Sequence, residues 1–216
     1  MKLILERWLA YLDEQEKQAS KTPKNIFKSS SKSNQGREYI VYFPPSIDRS
    51  KPVNAVLYFH GRGYSKSYFN RLKSKISTDN YVFIFPFLSN VPDVGRVKLD
   101  PSFINDVEKN LGIRINKLKL YGHSGGGRPM SLFAANFPED RIEKIVHLDT
   151  SYGYGFTKRF LAKSSPGMLK KISFYYIPGT RTEVHAKRHN KKYGVKIVPH
   201  KGIHHQHLAW ELYGVE

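Results

Sequence analysis

The chain has 216 residues, 39 % of them hydrophobic and 13 % aromatic, with a formal net charge of +18 at pH 7 and no cysteine. That size and content suit one folded domain and exclude a disordered chain, while the missing cysteine excludes disulfides, thiolate catalysis and Cys-ligated zinc. The charge points either to an acidic partner (nucleic acid, anionic membrane or envelope polymer) or to a solvated basic surface, and it is silent on fold and reaction.

The first residues, Met1-Lys2-Leu3-Ile4-Leu5, begin like a signal peptide, but Glu6 and Arg7 break the apolar run. No run reaches the roughly 18 residues that span a bilayer. The expectation is a soluble protein, either cytoplasmic or exported after loss of a leader. Residues 2–19 carry Leu5, Trp8, Leu9 and Leu12 at helical spacing. The basic, Ser-rich stretch that follows reads as a linker or surface arm, so the chain divides into an N-terminal helix and linker over 1–36 and a domain over 37–216.

Within the domain, β-branched and aromatic runs at 39–43, 53–59, 81–85, 117–121, 142–148, 172–177 and 195–198 predict strands. Helical patterns over 65–77, 102–111, 126–137, 183–192 and 206–213 lie between or after them. This alternation predicts an α/β fold: one domain, a mostly parallel sheet, helices on both faces. The run 53–59 is almost continuously apolar, as a strand buried on both faces should be. The first two strands, separated by Pro44-Pro45, are expected to pair antiparallel at an edge. Between 148 and 172 there is room for a turn and one short helix but not for a lid. The site is therefore expected to be open, with Tyr152, Tyr154 and Phe156 either lining its rim or packing beneath it.

Three features carry chemistry. Gly122-His123-Ser124-Gly125-Gly126 follows a strand and precedes a helix. A serine on such a sharp turn presents its hydroxyl above the sheet, and the next helix aims its first amides at developing negative charge. A Gly-rich turn that binds phosphate or simply packs tightly has the same spelling. Upstream, His60-Gly61-Arg62-Gly63 also follows an apolar strand. A tetrahedral intermediate needs two pre-placed donors, and the amides of Gly125 and Arg62 are candidates; an ordinary Gly-rich loop braced by His60 is the alternative. Finally, His200, His204, His205 and His207 cluster after the last strand. A serine hydroxyl needs an imidazole to take its proton, and His204 or His205 lies where that base belongs. A metal site is the competing reading of the cluster, as it is for the i, i+4 pair His185 and His189.

With these motifs in chain order, the sequence over about 37–216 resembles the α/β-hydrolase superfamily, whose order is nucleophile, acid, histidine. The resemblance implies a lidless serine hydrolase, esterase-like or a peptidase, needing no cofactor and no metal. It implies Ser124 as nucleophile, His204 (or His205) as base, and an oxyanion hole from Arg62 and Gly125. The acid departs from the common pattern: residues 177–183, after the penultimate strand, contain no Asp. Asp149, one strand earlier, is the preferred acid; Glu183 is the alternative, and a capping role is open to either. The expected substrate is an ester or amide, including an anionic polymer or cell-envelope peptide. A non-catalytic binder of an anionic polymer on the same fold is the rival reading. Nucleic-acid binding has only the charge behind it, since no reader motif is present.

Overall fold

The computed structural model describes residues 26–32, 37–61, 80–88, 98–150 and 154–200. Eight strands make one sheet: β1 (Ile26–Ser31), β2 (Arg37–Tyr42), β3 (Val53–Phe59), β4 (Tyr81–Pro86), β5 (Ile115–His123), β6 (Ile142–Leu148), β7 (Ile172–Tyr176) and β8 (Lys196–Pro199). Their spatial order is β1-β2-β4-β3-β5-β6-β7-β8. The first two strands run antiparallel to their neighbours, and from β4 to β8 every pairing is parallel. Five α-helices are described: α1 (Phe103–Leu111), α2 (Gly127–Ala134), α3 (Tyr154–Lys163), α4 (Pro166–Lys170) and α5 (Arg181–Tyr193).

The apolar run of β3 resolves into the two faces its period of two dictates. Val53, Ala55, Leu57 and Phe59 join one buried cluster, and Val56 and Tyr58 join the other. The first cluster also receives Phe103, Ile104 and Val107 of α1, Met130 and Phe133 of α2, Phe160 and Leu161 of α3, Met168 of α4 and Ala186 of α5. The second is aromatic: Tyr58 stacks on Phe85 at 5.7 Å, and Phe85 meets Phe87 edge-on at 5.4 Å. A sheet buried on both faces with parallel central strands is what the alternation of elements predicts.

Three expectations are corrected. Residues 26–31, expected within the linker, are edge strand β1, in register with β2 from Ile26↔Tyr42 to Ser31↔Arg37. Phe27 packs edge-on against Phe43 at 5.4 Å, and Ser31 Oγ donates to the Asp106 carboxylate of α1, which anchors an otherwise serine-rich strand. The strands flanking Pro44-Pro45 do not pair with each other. Both edges of β3 are taken by β4 and β5, and β2 instead lies antiparallel to β4. The stretch between β6 and β7 holds two helices, α3 and α4, rather than one. Helix α4 starts on a Ser165 cap whose Oγ accepts from Met168 N at 2.9 Å, with Pro166 at the first helical position.

The helices expected over 2–19, 65–77 and 206–213 lie outside the described residues, as do Arg62, Gly63, Tyr152, His204, His205 and His207. Among the described residues, no helix is long and apolar enough to cross a membrane.

Candidate active site

Ser124 follows the last residue of the central strand β5 and opens a short 3₁₀ turn, Ser124–Gly126, that runs directly into α2. Its φ is +48°, in the left-handed region where a residue with a side chain is strained. The reversal is tight because the turn is pressed from two sides. A Cβ on Gly126 would lie 2.0 Å from the Phe59 carbonyl oxygen at the end of β3, so no larger residue fits there. A Cβ on Gly61 would lie 3.1 Å from Ser124 Cβ and 3.2 Å from His123 Nδ1. The first half of the His60–Gly63 loop is therefore packed against the serine, and Gly125, the next residue after it, is buried.

His60 fixes that loop. Its Nδ1 is 2.7 Å from the Gly61 carbonyl, and its Nε2 is 3.0 Å from Leu88 N. A carbonyl only accepts and an amide N–H only donates, so Nδ1 carries the proton and Nε2 accepts: one neutral tautomer. The ring is fully buried and stacked on Phe85 at 5.4 Å, and burial pushes its pKa down to about 4. The imidazole braces the loop in its neutral form.

Asp149 is the residue just after β6, 1 % exposed, with φ also +48°. The β5–β6 register ends at His123↔Leu148, so Ser124 and Asp149 leave adjacent parallel strands at the same level and the same sheet edge. The Asp149 amide donates to the Tyr175 carbonyl at 2.8 Å, and its carboxylate accepts a hydrogen bond from Thr182 Oγ1 in the first turn of α5. Thr182 carries no signal of this role in the sequence: it lies within residues 177–183, which lack an Asp, and no local pattern links its hydroxyl to a carboxylate 33 positions earlier.

Glu183 is placed differently. Its Oε2 accepts from the Gly179 amide at 2.8 Å and its Oε1 pairs with Lys187 at 2.6 Å. The Lys187 ammonium, then the Gly179 amide, hold its pKa below the ordinary carboxylate value. This carboxylate closes the turn ahead of α5 and pairs one helical turn along it.

A second set of imidazoles lies behind Asp149. His147, fully buried on β6, stacks on Phe174 at 4.2 Å, and Phe174 meets the buried His189 at 5.1 Å. Burial, reinforced by His189, pushes the His147 pKa down to about 3; burial, with His185 next, pushes His189 to about 4. His189 thus belongs to an aromatic layer between β7 and α5. Among the described residues, no three His, Asp or Glu side chains gather as a metal-ligand set. Phe156, expected at the rim or in packing, lies on α3 between two guanidiniums, Arg128 at 3.8 Å and Arg159 at 4.3 Å from its ring centre.

An eight-stranded, mostly parallel sheet of this order, with a serine turn at the end of its fifth strand, is the α/β-hydrolase fold. No protein-family profile matches the sequence, and no curated protein matches it. Solved structures do. A dienelactone hydrolase from Anabaena variabilis superposes with a TM-score of 0.61 at 12 % identity, over 89 % of this chain and 95 % of that one. A feruloyl esterase module from Clostridium thermocellum gives 0.60 at 11 %, over 87 % and 85 %. Poly(aspartic acid) hydrolase-1 from Sphingomonas sp. KT-1 gives 0.59 at 16 %, over 88 % and 96 %. At these identities the likeness is one of fold.

Proposed function

We propose that this protein is a serine hydrolase that cleaves an ester or amide through an acyl-enzyme on Ser124. The observation that carries the reading is the positive φ of Ser124 in a turn where Gly126 has no room for a side chain and Gly61 packs closely against the serine. A non-glycine residue held there costs of order 1–3 kcal/mol, and such strain collects at functional sites. The hydrolases and esterases among its structural neighbours agree with this chemistry.

In the proposed mechanism the Ser124 hydroxyl attacks the substrate carbonyl while an imidazole takes its proton. The amides of Gly125 and Arg62 hold the oxyanion. The imidazolium then protonates the leaving group, and water, activated by the same base, releases the acid and frees Ser124. His204 is the proposed base, with His205 the alternative. Chain length is compatible with this. His200 N donates to the Tyr176 carbonyl at 2.8 Å, so the chain leaves β8 at the sheet edge that carries Ser124. Three strand spacings separate β8 from β5, whose end carries Ser124, about 14 Å. Four residues from His200 to His204 span up to about 14 Å. Asp149 is the proposed acid, because it stands buried beside the nucleophile's strand while both oxygens of Glu183 are engaged at the start of α5.

The net charge of +18 favours an acidic substrate, and one structural neighbour is named for hydrolysis of an anionic polymer. A panel of short esters and an acidic polypeptide tests the reading. Turnover should vanish in Ser124→Ala and fall by orders of magnitude in His204→Ala, while His205→Ala keeps most of it. The opposite ranking transfers the base to His205, and turnover undiminished in Ser124→Ala removes the mechanism.

A further inference from the structure

A cavity of about 400 Å³ lies between α2, α3 and α4, on the helices that follow the elbow and the Asp149 strand. Its apolar wall is made by Leu132, Ala135, Phe137, Phe156, Phe160 and Met168. Two cations, Arg159 and Lys163, stand one helical turn apart on exposed positions of α3 and also line it. Neither forms an ion pair among the described residues. The Arg159 guanidinium is held in place by its stacking on Phe156, whose ring Arg128 also covers, so positive charge outnumbers negative among the described residues of the wall. The one carboxylate in the wall, Glu139, accepts from Ser165 Oγ at 2.6 Å, beside the cap of α4.

We infer that this cavity is a binding site for a single-chain amphiphile with an anionic head, a fatty carboxylate, separate from the proposed catalytic serine. The apolar wall removes an alkyl chain from water, a gain that grows with each methylene buried. The planar fork of Arg159 matches a carboxylate, and Lys163 adds a second positive charge. The site lies along α2, whose first turn follows Ser124, so its occupant contacts the helix of the elbow without entering it.

The test uses the full chain carrying Ser124→Ala, so that binding is read without hydrolysis and stands or falls independently of the catalytic proposal. Titration calorimetry with dodecanoate should give saturable one-to-one binding, with dodecanol at least tenfold weaker. Arg159→Gln combined with Lys163→Gln, both on exposed positions, should weaken dodecanoate about tenfold and leave dodecanol unchanged. Ala135→Trp, which puts an indole at an exposed position of the lining, should abolish binding of both. Several results overturn the inference: no saturable binding, equal affinity for the alcohol, dodecanoate affinity unchanged by the double substitution, or binding that persists in a folded Ala135→Trp variant.

Discussion

Ser124 and Asp149 occupy equivalent places on neighbouring strands: each is the first residue beyond the register pair His123↔Leu148, and each has a φ of +48°. Two strained side-chain-bearing residues at one level of a parallel sheet put a hydroxyl and a buried carboxylate at the edge where α/β proteins bind their ligands. The same arrangement separates the two candidate acids. Replacing Asp149 with Asn keeps its shape and its place beside Thr182 but removes the charge that would stabilise an imidazolium. Turnover should fall about 10⁴-fold, the cost of losing the acid in comparable triads. Glu183→Gln should leave turnover within a few fold and lower the melting temperature, since it weakens the Gly179 and Lys187 contacts. Steady-state kinetics on a short ester, with melting curves for both variants, reads the two outcomes apart.

The elbow makes a packing prediction. In Gly126→Ala the added methyl meets the Phe59 backbone at 2.0 Å, and a β-strand carbonyl in the sheet centre cannot yield as a flexible side chain would. The variant should lose about 3 kcal/mol or more in urea denaturation. Gly155→Ala is the control. It lies in the first turn of α3 with no described atom within 4 Å of the added methyl, so alanine there should cost nothing and gain less than about 1 kcal/mol.

Acid should destabilise the protein through its buried imidazoles. An unfolded histidine titrates at 6.5, whereas His60 and His147 in the folded chain titrate at about 4 and about 3. Below pH 6.5 the unfolded state therefore binds more protons, so stability is present above that pH and is lost as pH falls toward the folded values. Each group contributes about 1.4 kcal/mol per pH unit in that window, so these two should give a slope of about 3 kcal/mol per unit, and His189, also held at about 4, steepens it further. Urea midpoints at pH 7, 6 and 5 measure it. Because Nε2 of His60 must stay unprotonated to accept from Leu88, protonation also unlocks the loop against Ser124.

If the basic surface serves an acidic substrate, salt should report it. Raising ionic strength to the physiological range shortens the screening length to about 8 Å. The specificity constant should fall severalfold for an acidic polymer and barely change for a neutral short ester. An equal response for both would leave the charge without a role in encounter.

Much of the fold is legible in the sequence because the central strands obey a simple rule. The residues of β3 alternate between two buried faces, so nearly all are apolar, and the helices between strands bury their periodic residues on one face. The edge strand β1 is not legible. Its serines carry no strand signal, and it is held by contacts with Phe43 and Asp106, which come 16 and 75 positions after their partners. The order β2-β4-β3 is equally long-range. At the site, Gly126 announces the turn because the Phe59 backbone leaves no room for a side chain there. Thr182 announces nothing, since a threonine near a helix start caps or packs far more often than it holds a distant carboxylate.

The central claim is that the hydroxyl on this turn is a nucleophile, and a fluorophosphonate reads that property directly. Incubation of the intact protein followed by peptide mass spectrometry should find one adduct, on Ser124, absent from Ser124→Ala and slowed in His204→Ala. An adduct on another serine, or none under conditions that label a known serine hydrolase in the same tube, would contradict the account.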